Sequence, residues 1–211
     1  MPLPDAGTLA LFMTAALALN VTPGPDMLYV VARSVGEGRT AGIISSFGIA
    51  AGSLVHTLAV ALGLAGLLRA VPVAFEIVKW MGAAYLVWLG VRALRSHGGT
   101  TAPTTLAPAS RVAIFRQGMV TNMLNPKVAL FFLAFLPQFV DPGRGPAALQ
   151  VISLGLLFNV SGTLVNVLVA TLAGGASAWS RRRFGESPLM RRVTGVMFIG
   201  LGVRLAFLER R

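Results

Sequence analysis

The chain of 211 residues contains no cysteine, two histidines and only seven acidic residues. Without cysteine, disulfides, thiol redox chemistry and thiolate metal sites are excluded, and so are six-span folds that carry electrons through a cysteine pair. Two histidines do not furnish the His-rich loops of a metal exporter. Charge is scarce as well: 12% of the residues are charged, where an ordinary soluble domain has about a quarter. No basic residue precedes Arg33, so the apolar run ending at Ala16-Leu17-Ala18 lacks the positive n-region of a secretory signal. Residues 1–30 therefore read as a retained first span. No local nucleophile motif or run of metal ligands is present, which argues against an intramembrane enzyme built from Asp26, His56 and the serines, and no cofactor or metal is expected.

What the chain does have is apolar surface. Hydrophobic residues make up 55%, the mean hydropathy is +0.75, and the 24 glycines suit helices whose backbones approach closely in lipid. The net charge of +11 comes from Lys and Arg in short clusters between apolar runs. That is the placement of helix ends at lipid headgroups, and no extended basic face suggests a nucleic-acid partner. The reading is a single all-α membrane domain of about six spans, located in the cell (inner) membrane.

A helix needs about 20 apolar residues to cross the hydrocarbon. Six segments meet or approach this length: about 6–32, 41–68, 71–93, 113–139, 147–178 and 188–208. The sixth is the weakest, because Arg204 lies within it. Eleven basic residues fall on one side, among them Arg33, Arg39, Arg111, Arg116 and Arg181-Arg182-Arg183, against six on the other. The richer side is assigned to the cytoplasm, with both termini outside if all six segments cross. Trp80, Trp88 and Trp179 suit interfacial anchors.

A Gly-, Thr-, Pro- and Ala-rich linker at about 96–112 separates the first half (about 1–95) from the second (about 113–211). Residues 52–58 read GSLVHTL and residues 162–168 read GTLVNVL; LGVR recurs at 89–92 and 201–204. The two matches lie 110 and 112 residues apart, and a proline-broken stretch stands near the start of each half. A duplicated unit with an odd number of spans enters the membrane from opposite sides, giving two inverted three-helix repeats with broken first and fourth helices. The alternative is a structural bundle with a repeated packing motif.

The breaks carry the candidate chemistry. Residues 20–26 read NVTPGPD, from Asn20 to Asp26. Pro23 and Pro25 around Gly24 remove backbone donors inside an apolar run, and a broken helix is tolerated there only when buried in protein or lining a wet cavity. Asp26 is ionisable at membrane depth and so a site candidate; its alternative role is N-capping a helix that resumes at Met27. In the second half Asn125, Pro126 and Lys127 lead into VALFFLAFLP. Asp26 and Lys127 are expected to approach one another as a charge pair or a shared polar site. His56 lies mid-span and titrates near neutrality in its free form, although a hydrogen-bonded interhelical role is the more economical reading. Asn159 and Asn166 share a helix face and either line a path or join helices. Gly48 and Gly52 form a small-xxx-small pair suited to packing within the bundle or to a homo-oligomer contact.

The PGPD segment, together with an NPK segment opening a Phe-rich fourth span, resembles the LysE/RhtB family of amino-acid exporters, and the likeness covers essentially the whole chain. The resemblance implies export of amino acids or derivatives with protons as coupling ion. Pro23, Gly24 and Pro25 match the first motif and Asn125, Pro126 and Lys127 the second, while Asp26 occupies a variable position. On this reading a half-helix N-terminus meets the carboxylate of a small zwitterion, and Asp26 attracts its ammonium or exchanges a proton. An uncoupled small-solute channel is the alternative.

Overall fold

The computed structural model describes residues 4–64 and 108–175, with scattered helical positions at 80, 83–84, 87–88, 91, 94–95, 192, 196, 199–200 and 203. The expected third and sixth segments have only those scattered positions described. The LGVR matches apart from Val91 and Val203, the Arg181-Arg182-Arg183 cluster, Trp179 and most of the linker lie outside the described residues.

Helix α1 (Ala6–Val21) is apolar on every side, as a helix surrounded by lipid and protein must be. The Asp5 carboxylate caps it, accepting from the Thr8 N–H at 3.0 Å, and that bond holds the Asp5 carboxyl below the usual carboxylate range. The helix stops at Thr22, whose backbone turns extended and whose hydroxyl donates back to the Ala18 carbonyl at 2.6 Å. After Pro23 and an extended Gly24, α2 (Pro25–Glu37) begins with proline at its first position, where no N–H is needed. The two pieces meet at 47°.

Gly38, at φ +91°, reverses the chain into α3 (Arg39–Ala59), and a π turn over Val60–Leu64 follows. In the second half α4 (Arg111–Met123) is capped by the Ser110 hydroxyl and ends at Leu124. Then α5 (Pro126–Leu130), again opened by proline, runs on through a π turn (Phe131–Phe135) and a 3-10 turn (Leu136–Phe139). Pro137, with no N–H to continue an α-helical ladder, stands where the helix tightens. This second pair bends by 49°. Finally α6 (Ala147–Gly175) is a single apolar helix of 29 residues.

By length and composition α3 with its continuation and α6 can each cross a membrane, and each bent pair can form one further span. The described residues are helical throughout, apart from caps and turns. Both expected breaks are present. The helix after the first break runs on to Glu37, past the expected boundary at about residue 32.

A cluster of phenylalanines fills one part of the interior. Phe12, Phe131, Phe132, Phe135, Phe139 and Phe158 are all buried, with Phe131 stacked on Phe158 at a centroid distance of 4.7 Å and Phe12 edge-on to Phe139 at 5.3 Å. Elsewhere backbones touch. A Cβ on Gly52 would stand 2.6 Å from the Met119 carbonyl oxygen, one on Gly118 would stand 2.8 Å from that of Ser45, and Gly48 faces the Phe115 carbonyl. The Gly48/Gly52 pair thus packs α3 against α4 inside the bundle, where a methyl group would push the helices apart.

Candidate functional site

Proline at each break frees a particular carbonyl. In an α-helix the carbonyl of residue 19 accepts from the N–H of residue 23, which Pro23 lacks. The Lys127 ammonium takes that place, donating to the Leu19 and Thr22 carbonyls at 3.0 Å each. Pro126 likewise has no N–H to donate to the Asn122 carbonyl, which accepts instead from the Asn125 N–H at 3.0 Å, with His56 Nε2 3.2 Å away. His56 also stacks on Phe132 at 5.7 Å. Each break is therefore stitched by a side chain from elsewhere in the fold.

Lys127 reaches across because Gly24 leaves room: a Cβ there would sit 3.2 Å from the ammonium nitrogen. Its positive charge rests against the C-terminal end of α1, where the helix dipole is negative. Asp26 stands second in α2, after Pro25, just as Lys127 stands second in α5, after Pro126. Gly24 is the N-cap residue, and the helix resumes at Pro25 instead of Met27, so Asp26 does not act as the N-cap. Its Oδ2 accepts from Asn122 Nδ2 at 2.8 Å, and Asn125 approaches the same carboxylate without completing a bond. Asp26 and Lys127 interact electrostatically, yet the ion pairs among the described residues do not join them. The two charges share a polar site without touching.

Both line a cavity of about 30 Å³ between the broken helices, α3 and α6. Asn20, Thr22, Ser53, Asn122, Asn159, Thr163 and Asn166 contribute further polar lining. Asn20 donates to the Phe158 carbonyl at 3.3 Å and to Ser161 Oγ at 3.1 Å. Asn159 donates to the Ala50 carbonyl at 2.7 Å and accepts from Thr163 at 3.3 Å. His56 and Asn125 are not among the described lining residues; the Asn125 side chain instead caps α5, accepting from the Lys127 N–H at 3.0 Å. Pro23, Gly24, Pro25 and Pro126 make the breaks and leave the lining to their neighbours.

Sequence reasoning missed Thr22, Ser53, Asn122 and Thr163 as lining residues. The signal was present, since Ser53 and Thr163 follow the glycines of the matched GSLVHTL and GTLVNVL units, and Asn122 precedes the second break much as Asn20 precedes the first. The glycines themselves cross over. Gly52 packs on Asn122, and Gly162 packs on Asn20.

Residues 17–209 match the LysE type translocator family. The chain belongs to that family. It is 35% identical to an uncharacterized membrane protein of Pseudomonas aeruginosa over 92% of this chain and 93% of that one. A homoserine/homoserine lactone efflux protein of Salmonella typhimurium is 32% identical over 92% and 94%, and a leucine efflux protein of Salmonella choleraesuis is 30% identical over 94% of each. The two Salmonella relatives are named for efflux and not for catalysis. No solved structure matches.

The translocator has a second buried polar cluster at the far end of α2. Arg33, counted above only as an orientation charge, is 3% exposed. It pairs with Glu37 and donates to Gln117 Oε1 at 2.6 Å and to the Tyr29 hydroxyl at 3.3 Å. The Tyr29 hydroxyl reaches the Ile114 carbonyl at 2.9 Å, and Glu37 accepts from the Ala109 N–H at 3.0 Å. These bonds tie α2 to the start of α4.

Proposed function

We propose that this translocator is a secondary exporter that moves amino acids or related small metabolites out across the cytoplasmic membrane, driven by the proton-motive force. The observation that carries the reading is the meeting of two proline-broken helices, which deliver Asp26 and Lys127 to one buried polar cavity. Half-helix ends at membrane depth are the means by which secondary transporters hold charged solutes and coupling ions. The names of the efflux relatives supply the substrate class: leucine, homoserine and homoserine lactone are amino acids or a close derivative.

An inverted repeat is part of the reading. The bends of 47° and 49°, the matched second positions of Asp26 and Lys127 and the crossed packing of Gly52 on Asn122 and Gly162 on Asn20 all support it. A cavity of about 30 Å³ has room for about two waters, far less than an amino acid. The conformation described is thus a closed one, and movement of one repeat against the other opens the site to either side. Asp26 exchanges the coupling proton.

The test is reconstitution in proteoliposomes and a screen of the amino acids for flux driven by an imposed proton gradient. Flux of one or a few amino acids, abolished in Asp26→Asn and Lys127→Ala, is the expected result. Flux that persists without a gradient would replace the coupled exporter with a channel, and retained transport in both variants would remove the two charges from the site.

A further inference from the structure

Four buried side-chain atoms among the described residues have no hydrogen-bond partner: Asp26 Oδ1, Ser53 Oγ, Asn122 Oδ1 and Asn125 Nδ2. Three of them belong to residues that line the cavity, Asp26, Ser53 and Asn122, and these residues are 8%, 3% and 2% exposed. All three open atoms are oxygens able to accept. The open donor, Asn125 Nδ2, lies toward the Asp26 carboxylate and its residue is not among those lining the cavity. Buried polar atoms left unpaired are rare in native proteins and call for a ligand, an ion or water.

The geometry points to an amino-group subsite: Asp26 Oδ1, Asn122 Oδ1 and Ser53 Oγ together accept the hydrogens of a primary ammonium, and that group, not the carboxylate, is what the exporter requires of its substrate. The inference rests on the exporter reading above. It follows from what a carboxylate would meet in the same place. Asp26 carries negative charge at the start of α2, so it offsets the helix end that would otherwise attract an anion and repels a second carboxylate. Lys127 already has two of its three ammonium hydrogens on the Leu19 and Thr22 carbonyls, and its charge is balanced by that helix end and by Asp26. An ammonium finds three open acceptors, one of them a carboxylate oxygen. The substrate class is therefore α-amino compounds whose carboxyl group is free or masked as an amide, ester or lactone.

An inorganic monovalent cation shares this chemistry, and competition separates the two. Take the amino acid whose flux the reconstituted protein supports. Measure inhibition of that flux by its amide, which keeps the ammonium, by its 2-hydroxy acid, which keeps the carboxylate, and by Na+ against choline. The amide is expected to compete within about threefold of the amino acid, and the hydroxy acid about 10- to 100-fold less well, since a buried charged hydrogen-bond set rejects a ligand that leaves it unpaired. Ser53→Ala, which breaks no existing bond, weakens the amino acid and the amide about equally. Asn122→Leu does so more strongly where the variant folds.

If the amino acid is moved while amide and hydroxy acid compete alike, the exporter reading stands and the amino-group subsite falls. If the protein binds radioactive Na+ without any amine, Na+ displaces the amino acid where choline does not, and Ser53→Ala abolishes both effects, the three oxygens hold an inorganic cation and the ammonium assignment is overturned. If no amino acid moves at all, both readings fall together.

Discussion

Helix α2 carries two buried polar clusters, and they are finished differently. Around Arg33, at its C-terminal end, Glu37, Tyr29 and Gln117 form a linked set of hydrogen bonds, with the Ala109 N–H and Ile114 carbonyl closing it at the backbone. Around Asp26, seven residues earlier and about 10 Å along the axis, four side-chain atoms stay unpartnered. Each such atom costs about 1–3 kcal/mol. With one network completed and the next left open on the same helix, α2 carries a brace at one end and the proposed binding site at the other. The difference teaches that burial of charge alone does not mark function; the unfilled bonds do.

The largest effect is expected from Lys127→Met, which strips the Leu19 and Thr22 carbonyls of their donor and leaves Asp26 without its counter-charge. Stability falls by about 3–5 kcal/mol, visible as a lowered unfolding temperature in detergent, and export is lost. Exchanging the charges, with Asp26→Lys and Lys127→Asp together, gives no rescue, because a carboxylate at 127 would face carbonyl oxygens. Recovered export in the double variant would mean that direct pairing matters after all.

Next comes Arg33→Met in the brace. It removes the guanidinium from Glu37 and Gln117, leaving them the Ala109 N–H and the Tyr29 hydroxyl, and lowers stability by about 3 kcal/mol, while the folded fraction keeps its apparent affinity for the transported amino acid. A large change in that affinity with little loss of stability would move Arg33 from brace to site.

Asp26→Asn is expected to do the reverse. It removes a buried charge with an open oxygen, so stability stays the same or rises by about 1 kcal/mol, while flux falls at least about 30-fold with the loss of the charge-assisted contact. A clear drop in unfolding temperature would make Asp26 a structural residue like Arg33. The smallest effect is expected from His56→Asn, where loss of the ring contact with Phe132 and weakening of the bond to the Asn122 carbonyl cost about 1 kcal/mol. The pH dependence of flux is unchanged; a shifted pH profile would make His56 a proton carrier.

Both breaks and both charges that line the cavity were legible in the sequence because their causes are local. Proline removes a donor wherever it stands, and a charge inside an apolar run is conspicuous without any knowledge of the fold. The partners were not legible. Lys127 was expected to form a charge pair or a shared polar site with Asp26; it shares the cavity, but its hydrogen bonds go to the end of α1, 108 residues away in the chain at Leu19. Ser53 and Thr163 passed unnoticed, since a hydroxyl in a membrane helix bonds its own backbone by default, as Thr57 does to the Ser53 carbonyl. Arg33 read as a surface charge because it closes an apolar stretch, and its neighbour Gln117 belongs to the other half of the chain.

By itself the sequence determined that the chain is helical, apolar and interrupted in two places, since hydropathy, helix length and proline stereochemistry act over a few residues. Tertiary structure alone decided that the two interruptions meet, that a side chain from another helix reaches each of them, and that three residues with unpartnered acceptor oxygens line one cavity. Those outcomes depend on helices approaching across glycines such as Gly48, Gly52 and Gly162, and contact through space between distant residues is written in no local pattern.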